Sequence, residues 1–266
     1  MRNEHDQPPP QWPNPAINDA LWARALTVAA VAVLTRLPRR LRKRHPHGVL
    51  FASRRFCIKV RPGGDLALAE AHAMRLVARH TSVPVPRVYC AFTHRSQGYI
   101  VMERVDGEMA WRAWMRRPAE ARRRILEQLK GMVQQVRAIP PPTAWASPTP
   151  LKFHESLRNG IVTEGVRNVP DDLRELVEFH ETPDPGPVVF THGDLSSLNV
   201  LVRGDQVVAI IDWETAGWLP AYWEYACAWN VNPQNEFWRH EVDKFLDPMP
   251  YELGMEAIRR KYFGDF

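Results

Sequence analysis

"PVVFTHGDLSSLNVLVRGDQVVAIIDWE", Pro187 to Glu214, decides how the rest of the chain is read. Its apolar runs have strand character, yet His192, Asp194, Asn199 and Asp212 sit among them, and a polar group buried without a partner is costly. The run "NVLVRGDQVVAIID" alternates around Gly204-Asp205, a dipeptide suited to a two-residue hairpin turn. With that turn, Arg203 faces Gln206 and Asn199 faces Ile210. Asp212 then becomes the diagonal neighbour of Asn199, about 7–8 Å away. A carboxamide and a carboxylate so placed can share a hard cation. Their oxygens suit magnesium, which usually keeps waters and completes its shell with substrate phosphates. Alone, each of the two is an ordinary strand-end residue; their coincidence points to the metal. Asp194 enters the same hairpin after Gly193, where a carboxylate can accept a proton from an attacking hydroxyl. A turn aspartate is the plain alternative. His192 reads as a structural histidine bonded to the loop backbone.

Outward from this stretch, composition narrows the setting. The chain has 266 residues, 45% hydrophobic and 24% charged, enough for one large core or two modest lobes. The three cysteines, Cys57, Cys90 and Cys227, are odd in number and far apart, so the expectation is a reducing, cytoplasmic compartment. The net charge is +5 and much of it is local, since "RLPRRLRKRH" from Arg36 packs six basic residues into nine positions. No aromatics interleave with them, so a solvated segment is expected rather than a nucleic-acid contact. The preceding "ALWARALTVAAVAVL" is interrupted by Arg24 and falls short of a spanning length, so no stable membrane insertion is expected. Nothing speaks to the oligomeric state.

Residues 1 to 16 are polar and Pro-rich and read as disordered, followed by a helix from Asn18 with Asn18 or Asp19 at its cap. "VLFASRR" and "FCIKVRP" read as strands. "DLALAEAHAMRLVARH" reads as a helix with Leu66, Ala69, Ala73, Leu76 and Val77 on one stripe and Asp65 as cap. "VPVPRVYCAF" and "GYIVMERV" add two strands, the first confined by its prolines to an edge or an irregular approach. After Gly107 the pattern is helical, with Ile125, Leu126, Leu129, Met132, Val133 and Val136 as one stripe, then a Pro-rich connector, a helix capped by Asp171, the hairpin, and a closing helix to Gly264. The division expected is 1–47, an extension; 48–105, a small strand-rich lobe; and 106–266, a larger helical lobe.

"THGDLSSLNVLV" followed by "AIIDWETAGWLPAYWEYA" resembles the aminoglycoside phosphotransferase and choline kinase-like family, most closely its fungal branch, over most of residues 48 to 266. The resemblance implies an α+β, bilobal protein-kinase-like fold: an antiparallel-sheet N-lobe with one main helix, and a mainly helical C-lobe carrying the hairpin. It also implies ATP- and Mg2+-dependent transfer of the γ-phosphoryl group to a hydroxyl of a small molecule. In that scheme Asp194 is the base and Asn199 and Asp212 hold the metal. Lys59 contacts the α- and β-phosphates with Glu70 as its ion-pair partner, and Met102, Glu103 and Val105 belong to the hinge that receives adenine. By themselves Lys59 reads as an edge-strand charge and Glu70 as a solvated helix residue. Glu214 shares parity with Asp212 and either reaches the metal or braces the loop; Glu224 reads as structural.

One departure stands out. "RHPHGVLFASRRFCIKV" precedes the lysine with a single glycine, Gly48, where the fold usually has a glycine-rich phosphate turn. Backbone amides, or Arg54 or Arg55, would have to compensate. A catalytically weak or inactive nucleotide-binding module is therefore the alternative. Two-metal phosphoester hydrolysis lacks the His and Asp clusters it needs, and protein kinase activity lacks a recognisable activation segment. The acceptor is unspecified by any motif.

Overall fold

The computed structural model describes residues 15–36, 48–141, 150–158, 169–182, 186–230 and 236–264. Nearly all of the Pro-rich start, the basic segment beyond Arg36 and most of the Pro-rich connector lie outside them. Ile17 bridges Ala91, and Asn18, at φ 48, donates from Nδ2 to the Tyr89 carbonyl at 2.9 Å. Both residues are thus committed to the sheet edge, and helix α1 (Leu21–Arg36) starts later than the cap residues predict.

The N-lobe continues with strands β1 (Val49–Phe51) and β2 (Phe56–Pro62), helix α2 (Gly64–His80), and strands β3 (Val88–His94) and β4 (Gln97–Glu103). The strands form one antiparallel sheet in the order β1-β2-β4-β3, which leaves the Pro-preceded β3 on an edge. Lys59 therefore sits in β2, an inner strand, not on the edge its charge suggests. Helix α2 packs on one face of the sheet and α1 on the other, where Ala23 meets Cys90, Phe92 and Tyr99. The approach of α2 is close. A Cβ on Gly98 would lie 2.3 Å from the Ala67 Cβ, so only glycine fits there.

The single stripe predicted for α2 is wrong in part. Leu66 is exposed, while Ala67, Leu68, Glu70, Ala71 and Met74 are buried. The helix lies between the sheet and the C-lobe turn around Trp213, so two of its sides are covered and one amphipathic stripe does not describe it. Asp65 does not cap it. The position belongs to Gly63 in a left-handed conformation, φ 76, with no side-chain cap bond.

The C-lobe follows as β5 (Glu108–Met109), α3 (Ala119–Arg137), α4 (Pro150–Leu157), α5 (Asp171–Glu181), β6 (Val188–Thr191), β7 (Val200–Arg203), β8 (Gln206–Ile210), β9 (Gly217–Pro220), α6 (Tyr222–Trp229), α7 (Glu236–Val242) and α8 (Pro250–Phe263). The α3 stripe is as predicted apart from Met132, which is only half-buried. Pro170, not Asp171, caps α5. Strands β5, β7 and β8 form a three-stranded sheet and β6 pairs with β9.

The core of the C-lobe carries a pH-sensitive pair. The His154 and His180 rings stack with centroids 4.3 Å apart. Nδ1 of His154 faces the His180 carbonyl at 3.1 Å and Nε2 faces the Tyr222 hydroxyl at 2.9 Å. Burial pushes the His180 pKa from 6.5 down to about 3, with the neighbouring His154 and Arg158 adding to the effect. Above 6.5 the ring is neutral in both states. As pH falls below that value the unfolded chain takes up a proton that the folded chain refuses, so stability is lost progressively towards about 3. Thermal melts across that interval should show a falling Tm with a smaller slope in His180→Phe; an unchanged slope would assign the acid sensitivity elsewhere.

Candidate functional site

A cleft lies between the lobes. Lys59, Glu70, Met102, Glu103, Val105, Asn199 and Asp212 all line it, so the lysine strand, the α2 glutamate, the hinge and the hairpin meet in one space. Lys59 is 2% exposed. Its Nζ donates to Glu70 Oε1 at 2.7 Å and to Asp212 Oδ1 at 2.5 Å, so a buried ammonium is held between two carboxylates.

Burial pushes the Glu70 carboxyl up, with the Lys59 charge and hydrogen bond opposing it. Burial acts on Asp212 in the same sense, but there the Lys59 charge and hydrogen bond, helped by Arg61, prevail and its pKa is lowered. Asp212 is thus kept ionised. Glu70 Oε2 is buried with no hydrogen-bond partner among the described residues.

The hairpin register differs from the one the sequence predicts. Arg203 does face Gln206, but the ladder slips between Leu201 and Val202, so that Val200 faces Ile210. Asn199 therefore stands opposite Ile211, whose N–H donates to the Asn199 carbonyl at 2.9 Å. The extra residue is a β-bulge at Val208, which the two-residue turn alone does not reveal. A one-residue slip would send Asp212 to the other side of the ribbon. It does not, because Asp212 leaves the strand in the left-handed region at φ 67 and ψ 57, and both residues face the cleft.

Asn199 donates both amide hydrogens to Asp194, at 2.8 Å to its carbonyl and 2.8 Å to its carboxylate. Its side-chain oxygen is the atom left for a cation. Asp194 itself is exposed. The loop that carries it is clamped from below. Glu224 accepts from the His192 amide at 2.5 Å and from the Gly193 amide at 3.2 Å, and burial raises its pKa to about 7 against those bonds. His192 accepts from the Asp194 amide at Nδ1, 3.2 Å, and bonds the Ile211 carbonyl through Nε2, 2.9 Å. Burial lowers the pKa of this ring to about 4. His192 and Glu224 brace the loop.

Two features are not anticipated by the sequence reading. Arg61 pairs with Glu214, whose carboxylate also lies 3.6 Å from Lys59; the i, i+2 parity of Lys59 and Arg61 on β2 was the available signal. Carboxylate oxygens of Glu70, Asp212 and Glu214 lie within 4.8 Å of one another. All three meet a cation, Glu70 and Asp212 through Lys59 and Glu214 through Arg61. Asp212 lines the cleft with Asn199, as Glu214 does not, and is held ionised where burial pushes Glu70 up, so it is the stronger candidate ligand. The second feature is the turn between β1 and β2. The Ala52 and Ser53 amides donate to the Phe56 carbonyl, both at 3.1 Å. Those of Arg55 and Phe56 donate to Ser53 Oγ, both at 3.0 Å. Four amides that a phosphate would use are therefore spent within the turn, contrary to the expectation that they remain available. Arg54 and Arg55 are exposed and line no part of the cleft. In the hinge, the Glu103 and Arg104 amides donate to the Arg87 and Arg55 carbonyls, both at 2.9 Å, so both are spent within the fold.

The sequence model of the phosphotransferase enzyme family matches residues 39–252. No curated protein matches the chain. Among solved structures the chain is similar to aminoglycoside phosphotransferase APH(3'')-Id from Streptomyces rimosus in complex with ADP and streptomycin, at 16% identity and a TM-score of 0.60 over 90% of this chain and 99% of that one. It is similar to aminoglycoside-3'-phosphotransferase of type VIII at 19% identity and a TM-score of 0.60, over 89% and 99% of the two chains. A third similar structure is the streptomycin–ATP complex of APH(2'')-IIa, at 11% identity and a TM-score of 0.57, over 90% of this chain and 86% of that one. At such identities the likeness establishes the kinase-like fold.

Proposed function

Because the chain belongs to the phosphotransferase enzyme family, we propose that it is a small-molecule kinase, moving the γ-phosphoryl group of ATP to a hydroxyl of its acceptor. The observation that carries this reading is the buried Lys59–Glu70 pair bonded to the half-buried Asp212 and opening onto the same cleft as Asn199. A cleft built to receive hydrocarbon would not line itself with a buried ion pair and a third, half-buried carboxylate. One built to receive a triphosphate has a use for the cation and for the two oxygen ligands. Lys59 meets the α- and β-phosphates and Glu70 holds it in place. The donor set fits Mg2+: an ionised Asp212 and the Asn199 carbonyl oxygen, both hard ligands, would hold it, and the ion would supply charge neutralisation on the phosphates.

Asp194 orients the acceptor hydroxyl and takes its proton. The acceptor oxygen forms the new bond to the γ-phosphorus, the bond to the β-bridging oxygen breaks, and ADP departs while Asp194 returns the proton to water.

Calorimetry of ATP binding with magnesium and with a chelator tests the metal assignment. Magnesium should tighten binding to the wild-type chain by about tenfold or more, and that effect should vanish in Asp212→Asn. A metal effect that survives the substitution would remove Asp212 as ligand. The self-satisfied β1–β2 turn favours a second reading, a module that holds nucleotide without turnover. Magnesium-dependent ATP consumption over a panel of hydroxylated metabolites separates the two.

A further inference from the structure

Helix α2 keeps a third side that neither the sheet nor the C-lobe turn covers. There its second half and the run leading into β3 enclose a groove. Arg75 and Arg79 enter it from the helix at i and i+4, and Arg87 enters it from the run. All three are exposed. Among the described residues no carboxylate pairs with any of them or lines the groove, and Arg87 lies over the Tyr89 ring at 5.5 Å. Two acids near in the chain are committed elsewhere. Asp19 bonds Arg24, and Glu103 accepts from the Arg87 amide at 3.3 Å while lining the cleft.

A cation in the last turn of a helix offsets the carbonyl end of its dipole, which accounts for Arg79. Arg75 lies a turn further in, and Arg87 is off the helix. Like charges at i and i+4 oppose helix formation, so Arg75 carries a cost that an anion in the groove would offset. Between the arginines the surface is apolar. Leu76, Val85 and Val88 are half-buried and pack on the core beneath. An inorganic anion would satisfy the guanidiniums and leave this floor bare. A bilayer surface is too broad to enter a hollow beside a helix. Nucleic-acid bases stack on aromatic rings, and no Phe, Tyr or Trp lines the groove. A peptide with carboxylates on either side of an aliphatic side chain meets both demands, since the arginine fork matches a carboxylate with two hydrogen bonds.

We propose that the groove between α2 and the start of β3 docks an acidic peptide segment of a partner protein. Arg75, Arg79 and Arg87 hold its carboxylates, and Leu76, Val85 and Val88 receive its aliphatic side chain. The site is independent of the phosphoryl-transfer reading. It nevertheless adjoins the cleft, because Met74 and Pro86 line both spaces and α2 also carries Glu70. A partner seated here touches the helix that holds Lys59 in place.

The test is fluorescence anisotropy of a short, labelled, end-blocked peptide of repeating Glu-Glu-Leu titrated with the full chain. Wild type should bind it at least about tenfold more tightly than the same peptide with Gln in place of Glu, and added salt should weaken it. Ser in place of its Leu should cost about threefold or more. The double variant Arg75→Gln/Arg79→Gln should lose about tenfold or more. Arg112→Gln/Arg116→Gln removes the same charge from exposed positions that line no part of the groove, and should stay within about twofold of wild type. Unchanged thermal melting of the first variant, expected because both side chains are exposed, ties its loss to the surface. Equal losses in the two double variants would reduce the effect to net charge and overturn the proposal, as would no binding by the wild type. So would a single-stranded oligonucleotide, phosphatidylserine vesicles or a synthetic copy of residues 1–14 displacing the peptide at lower concentration than the unlabelled peptide does, since the groove would then take a different occupant.

Discussion

Asp194→Asn is expected to lower kcat by about 10²–10⁴-fold and to leave ATP affinity unchanged. The asparagine keeps the shape of the side chain and its carbonyl oxygen can still accept from Asn199. The Asn199 amide also keeps its 2.8 Å bond to the backbone carbonyl of residue 194. What disappears is the group that takes the proton as the acceptor oxygen attacks. Because Asp194 is exposed, it carries no core packing, and the folded state should survive intact. Single-turnover formation of ADP, with whichever acceptor drives ATP consumption by the wild type, measures the step directly. A rate within a factor of about two of wild type would remove Asp194 as base.

Lys59→Met should lower stability by about 3 kcal/mol, a Tm drop on the order of 6–12 °C. The substitution leaves Glu70 facing a buried space without its only bonded cation and leaves Asp212 without its 2.5 Å partner. Burial already pushes the Glu70 carboxyl up, and without Lys59 nothing nearby of comparable reach opposes it. Glu70 would then fold protonated. The loss in Tm should therefore shrink as pH falls towards the ordinary carboxylate range and the unfolded chain takes up the same proton. The double variant Lys59→Met/Glu70→Met should regain much of the lost stability, because an apolar pair of similar volume suits the site better than a single unpaired charge. If the double variant were less stable than the single, the pair would not be the source of the loss. Both variants should bind ATP poorly, which separates the stabilising role of the triad from its phosphate-binding role.

Much of the fold was legible because the sequence carries local signals that tertiary packing did not override. The α3 stripe, the prolines before β3 and the Gly204-Asp205 turn each name an element and its place. Asn199, Asp212 and Asp194 were singled out by the hairpin pattern and Lys59 and Glu70 by the motif resemblance, and the structure brings Asn199, Asp212, Lys59 and Glu70 into one cleft.

The failures have physical reasons. The bulge at Val208 has no marker in a run of apolar residues. The expected diagonal neighbours Asn199 and Asp212 meet only because a left-handed backbone at Asp212 offsets the slip, and neither half of that compensation is visible in composition. The α2 stripe was misread because the helix serves two surfaces at once, so Leu66, which fits the period, points to solvent. The β1–β2 turn looked merely glycine-poor. Its Ser53 hydroxyl in fact closes it on itself, a bond that depends on conformation more than on residue type. Lys59 was read as an edge-strand charge, whereas β1 and β4 flank β2 and its ammonium bonds Glu70 and Asp212.

The loop before the hairpin and the turn after it are riveted together. A Cβ on Gly193, at φ 78, would meet the Thr215 carbonyl oxygen at 2.6 Å, the Thr215 hydroxyl donates to the His192 carbonyl at 2.9 Å, and His192 reaches back to Ile211. Asp194 and Asp212 thus ride on a single mechanical part, while Lys59 belongs to the other lobe. Any hinge-like breathing of the two halves would shift Lys59 against Asp212 without disturbing the spacing between Asp194 and Asp212, so under the proposed roles the grip on the donor and the geometry of transfer would be set at separate joints of the molecule.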